Sequence, residues 1–70
     1  MNKFHLEGQD FIELNKLLKI MNLVGSGGEA KIRIREGEAK VNGAVELQVR
    51  KKLRTGDLVA FGGEQIQIEA

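Results

Sequence analysis

Seven cationic side chains are the groups in this chain best suited to chemistry: Lys31, Arg35 and Lys40, then Arg50, Lys51, Lys52 and Arg54. Fixed positive charge at that density attracts phosphate. Residues 31–54 hold eight cations, counting Arg33, against three anions, Glu36, Glu38 and Glu46, whereas the remaining residues sum to −4. The overall charge of +1 therefore conceals a basic middle in an acidic chain, and a localised patch draws an anion better than a diffuse excess does. Ser26, Gly27 and Gly28 offer a second route to an anion. A helix N-terminus presents free N–H groups, and glycines let a phosphate come close to them. The stretch is not a nucleotide loop, since no Gly-Lys-Ser/Thr follows.

Catalysis has little to draw on. A general base needs a nucleophile within hydrogen-bond reach, and His5, Ser26 and Thr55 are isolated in sequence. Glu36 and Glu38 could form a carboxylate pair, but two acids flanking a glycine more often make a solvated corner. With no cysteine and a single histidine, disulfides, thiolate zinc sites and a histidine metal cluster are all excluded. No catalytic residue, metal or cofactor is expected. Met1 to Leu6 is followed by Glu7, Gly8 and Asp10 rather than an apolar core, and no apolar run could span a bilayer. The expectation is a soluble, cytoplasmic protein.

The elements that must position the cations centre on Ser26 to Gly43. Ser26 and Glu29 have capping-box spacing, the hydroxyl taking the N–H of Glu29 and the carboxylate reaching back to the N–H of Ser26. Gly37 then stops a helix running from Gly27 to Glu36. Ala30 to Arg35 also alternates as a half-buried strand would, but a box at one end and a glycine at the other are helix punctuation. On that helix Ala30 and Ile34 share the core face, Lys31 and Arg35 form a ridge beside it, Arg33 lies on the other flank, and Ile32 falls off the core face. Next, Ala39 and Val41 point one way with Glu38 and Lys40 the other, and Asn42-Gly43 is a tight hairpin turn.

Upstream, Lys3 to Glu7 predicts a first strand with Phe4 and Leu6 on one side. Asp10, with Glu13 three residues on, predicts the cap of a first helix bearing Phe11, Leu14, Leu17, Leu18 and Met21 on one stripe and ending at Asn22. Lys16 and Lys19 fall off the stripe, as solvated lysines do. Leu23 to Gly25 is a link short enough to make the helices neighbours. Downstream, Val45, Leu47 and Val49 predict a strand with one buried face. In the basic run that follows, Leu53 is the apolar anchor. Thr55-Gly56-Asp57 turns the chain into Leu58 to Phe61, expected to be buried on both faces. Gly62-Gly63 then turns it into Gln65 to Glu69 with Ile66 and Ile68 inward. The fold class is α+β, two helices packed on a small, mostly antiparallel sheet, in a single domain over residues 1–70.

Ser26-Gly27-Gly28-Glu29-Ala30-Lys31, Ile34, Gly37, Val41-Asn42-Gly43 and Lys52-Leu53-Arg54-x-Gly56-Asp57 together resemble the RNA-binding domain named after small-subunit ribosomal protein S-four. The resemblance covers about Phe11 to Phe61, and order and spacing agree over several elements. It is closest to small stand-alone bacterial members with paired glycines ahead of Ala-Lys. The resemblance implies an αL motif, in which the second helix and the following loop form the RNA-binding surface. It places Ala30 and Ile34 in the core, Lys31 where the family has an arginine, and Asn42-Gly43 at the family hairpin turn. Gly27 and Gly28 stand where many members carry an arginine.

The expected function is a non-catalytic, monomeric RNA-binding protein that contacts phosphates of structured RNA, with ribosomal RNA or tRNA as the candidate RNA and the ribosome as a candidate partner. The candidate contacts are Ser26, Gly27, Gly28, Lys31, Arg35, Lys40, Arg50, Lys51, Lys52 and Arg54. Phe4, Phe11 and Phe61 are expected in the core, which leaves no platform for stacking bases and favours recognition of folded RNA by shape. The alternative is a β-grasp-like protein-interaction or carrier module without nucleic acid. A carrier needs its Gly-Gly at the very C-terminus, whereas a strand follows Gly62-Gly63.

Overall fold

The computed structural model describes residues 2–70. Its elements run β1 (Asn2–His5), β2 (Ile12–Glu13), α1 (Leu14–Ile20), α2 (Gly27–Arg35), β3 (Ala39–Val41), β4 (Ala44–Val45), β5 (Lys52–Leu53), β6 (Leu58–Phe61) and β7 (Glu64–Glu69). The expected α+β class holds. A five-stranded sheet has the order β1-β7-β6-β3-β4, and β2 and β5 form a separate two-stranded ribbon. Every pairing is antiparallel except that of β1 with β7. Among the described residues, no helix is long and apolar enough to cross a membrane.

Period-two alternation sends Ala39, Val41, Val59, Phe61, Ile66 and Ile68 inward, where they meet Leu14, Leu17 and Leu18 of α1 and Ala30 and Ile34 of α2 in one core. Burying each such Leu, Ile or Val stabilises the fold by about 1.5–3 kcal/mol relative to exposure. The two helices pack against each other. The α2 stop is as expected, with Gly37 at φ +83° and its N–H donating to the Ile34 carbonyl. Asn22, at φ +60°, ends α1 the same way: its N–H reaches Lys19 and that of Leu23 reaches Leu18.

Four expectations are corrected. The first strand is Asn2–His5 rather than Lys3 to Glu7, because Glu7 takes up a positive φ of 53° in the turn with Gly8. Leu6 is nevertheless buried and Phe4 partly buried against the core. Asp10 does not cap a helix. Ile12 and Glu13 pair instead with Leu53 and Lys52, and α1 starts at Leu14 with no side-chain cap. Its first donors are satisfied by a distant backbone, Leu14 N–H by the Lys51 carbonyl and Asn15 N–H by that of Val49.

The strand expected over Val45 to Val49 is only Ala44–Val45, and Val45 and Leu47 are 53% and 57% exposed. Glu46 turns the chain away from the sheet by accepting the N–H of Gln48, and the Lys51 N–H then closes on the Gln48 carbonyl. Finally, β6 is buried on one face, through Val59 and Phe61, while Leu58 and Ala60 are half-buried. The helices cover one side of the sheet, so its other side keeps solvent. Asn42 and Gly43 both adopt the positive φ of a tight hairpin, 53° and 85°. The Asn42 side chain then ties that turn to β6, accepting the Leu58 N–H and donating to Asp57.

Candidate nucleic-acid interface

Helix α2 is set by its own sequence. The Ser26 hydroxyl accepts the Glu29 N–H at 3.1 Å, and Glu29 Oε1 accepts the N–H of Gly25 at 2.8 Å, one residue earlier than the Ser26 N–H expected. The second carboxylate oxygen of Glu29 faces Arg33 at 3.4 Å. Arg33 also bonds Glu38 through Nε at 3.0 Å and Nη2 at 2.9 Å, and its guanidinium lies 4.5 Å from the Phe61 ring centre. The hydrogen bond to Glu38, with the charges of Glu38 and Glu29 behind it, outweighs desolvation and holds the Arg33 pKa above its ordinary value. Arg33 is a structural pin between helix and sheet.

Lys31 and Arg35 differ in having no ion pair among the described residues. They line a groove of about 470 Å³ with Gly27 and Gly28, facing Asn15 of α1 and Val49 and Arg50 of the loop before β5. The chain reaches this position because the carbonyls of Val49 and Lys51 receive the first donors of α1. One set of hydrogen bonds both starts that helix and carries Arg50 beside α2. Three cations thus converge on a groove with no carboxylate in its lining, and an added Cβ at Gly27 would meet nothing within 4 Å. Such a groove suits a phosphate backbone. Among the described residues, Asn15 Oδ1 is buried without a hydrogen-bond partner at this same groove.

The other candidates lie elsewhere. Lys52 and Arg54 project from the outer face of the ribbon, with Lys52 Nζ 4.9 Å and Arg54 Cζ 5.6 Å from the ring centre of Phe11. Arg54 also donates to the Asp10 carbonyl at 3.5 Å. Lys51 is half-buried, and Lys40 points outward from β3 between its neighbours Val45 and Ala60. Ser26 is exposed, but its hydroxyl oxygen serves the cap. Of the Arg50 to Arg54 run, only Arg50 joins the α2 groove, so the basic middle is divided between two surfaces and an outlying lysine.

Phe11 corrects another expectation, since it is half-exposed and does not pack on the core. Reading Lys52 to Arg54 as a strand would have found it, because Ile12 opposite Leu53 puts Phe11 on the face of Arg54. Asn15 and Val49 were missed as well, and nothing local marks them. Among the described residues, no group of three or more histidine, cysteine or acidic side chains could hold a metal ion.

Comparisons with known proteins agree with this fold. A family described as the S4 domain matches residues 4–69. YbcJ of Escherichia coli (strain K12) and YbcJ of Shigella flexneri are each 43% identical over 70 residues, the whole of both chains. The solution structure of the Escherichia coli YbcJ superimposes with a TM-score of 0.76, covering 100% of this chain and 89% of that one. It is described as revealing an αL motif involved in RNA-binding.

Proposed function

The chain belongs to the S4 domain family, and from that premise we propose that it is a non-catalytic RNA-binding protein gripping the phosphate backbone of structured RNA. One observation carries the reading: Lys31, Arg35 and Arg50, with no ion pair among the described residues, converge on the glycine-floored groove at the start of α2. Gly27 and Gly28 admit the backbone, Ser26 sets the helix end, and Lys40, Lys51, Lys52 and Arg54 extend the positive field beyond the groove. Residues 1–70 act as one domain and as a monomer in the cytoplasm, on an RNA of the ribosomal or transfer class. Folded RNA is favoured over unstructured strands because the groove offers cations and no aromatic ring. A competition assay tests this. With a structured ribosomal RNA fragment labelled, unlabelled folded RNA displaces it well before polyuridine at matched phosphate and salt. Equal displacement would reduce the reading to general polyanion binding.

A further inference from the structure

The ribbon carries a second feature that backbone binding does not use. Phe11 holds its ring out of the core, beside a shallow pocket of about 660 Å³ bounded by Gln9, Asp10, Phe11, Glu13, Lys16 and Ile20. That volume lies within the roughly 300–1,000 Å³ of small-ligand sites. Its charge is opposite in kind to that of the α2 groove. Asp10 and Glu13 would repel a phosphate, and the Lys16 ammonium is engaged by Glu13 at 3.4 Å. Among the described residues, the Asp10 carboxylate has no hydrogen-bond or ion-pair partner. A flat apolar ring beside a free carboxylate fits a planar group whose edge carries N–H donors. Lys52 Nζ and Arg54 Cζ, 4.9 and 5.6 Å from the centre of the same ring, supply positive charge beside it.

We propose that this pocket takes one unpaired nucleobase, guanine in preference to others, extruded from the folded RNA that the protein binds. Guanine presents two adjacent N–H donors on its Watson–Crick edge, matching the two oxygens of Asp10, whereas uracil presents one donor between two carbonyls. Unpaired bases stacked on an aromatic side chain and read at their edges are the usual source of sequence preference in RNA recognition. The inference rests on the proposed RNA binding, and its test separates the two.

Three hairpin RNAs of one sequence are titrated against the full chain: fully paired, with a single bulged guanosine, and with a single bulged uridine. The bulged-guanosine hairpin binds about tenfold more tightly than the paired one, the scale of a single base–aromatic stack. Phe11→Leu removes that advantage and leaves paired-hairpin binding unchanged, Phe11→Trp keeps it, and Asp10→Asn narrows the gap between guanosine and uridine. Unchanged unfolding midpoints in the three variants exclude a folding defect, and Phe11→Trp supplies the contrast should Phe11→Leu be destabilised. Equal binding of the paired and bulged hairpins overturns the pocket and leaves the backbone groove standing. Failure of every hairpin to bind overturns both.

Discussion

At the scale of single residues, the important distinction is between a spent cation and a free one. Arg33 has two carboxylates and an aromatic ring for partners, while Lys31, two residues away on the same helix, has no ion pair among the described residues. Charge reversal at Lys31 should therefore weaken binding to folded RNA and reduce the salt slope by about one, with the unfolding midpoint unchanged. Lys3, exposed on β1 far from the groove in sequence, is the control. Gel-shift titrations across a salt series check this, and equal damage from reversal at Lys3 would remove the special status of the α2 groove. Arg33 illustrates the opposite case, for the hydrogen bond to Glu38 and the charges of Glu38 and Glu29 favour its charged form and raise its pKa.

At the scale of elements, what could be read from sequence was what is decided locally. The start and stop of α2 lie within twelve residues of one another, Ser26 to Gly37, and both form where expected, with the one difference that the Glu29 carboxylate takes the N–H of Gly25. Asn42-Gly43 carries its own turn geometry. Gly43→Val should lower stability by about 1–3 kcal/mol, all of it backbone strain, because an added Cβ there meets nothing within 4 Å. Denaturant unfolding measures the loss, and an unchanged midpoint would contradict the turn. The start of α1 was illegible because its caps are carbonyls from Val49 and Lys51, and a sequence window around Asp10 contains neither. The alternation of Val45, Leu47 and Val49 was real in sequence, but only Val49 packs on the core. Leu53 shows how much a two-residue strand can hold: it is fully buried, pairs with Ile12, and stands between the two loop ends that carry cations. Leu53→Ala should cost about 2–5 kcal/mol. Calorimetry reports the loss, and hydrogen exchange at Leu14 and Asn15 should quicken with it.

At the scale of the whole molecule, the net charge of +1 is divided among surfaces that different parts of a ligand can meet. The cations were legible as charge, but their division was not, since it depends on where the loop before β5 is anchored. If the backbone groove engages about three phosphates and the ribbon up to two more, the log–log salt slope falls at roughly −2 to −4. Titration between low and moderate salt measures it, and a flat response would exclude phosphate as the principal ligand. The parallel pairing of β1 with β7 has a consequence of another kind, for the timing of biosynthesis. β7 lies between β1 and β6, so the strand translated first has no partner in the sheet until the last one has been made. A nascent chain can close the α2 cap and the Asn42-Gly43 hairpin early, because their bonds are local, but it must wait for Glu64–Glu69 before its opening residues have a place. The basic groove beside α2 can therefore begin to take shape while the sheet is still incomplete, and the finished fold is reached only after synthesis has passed β7.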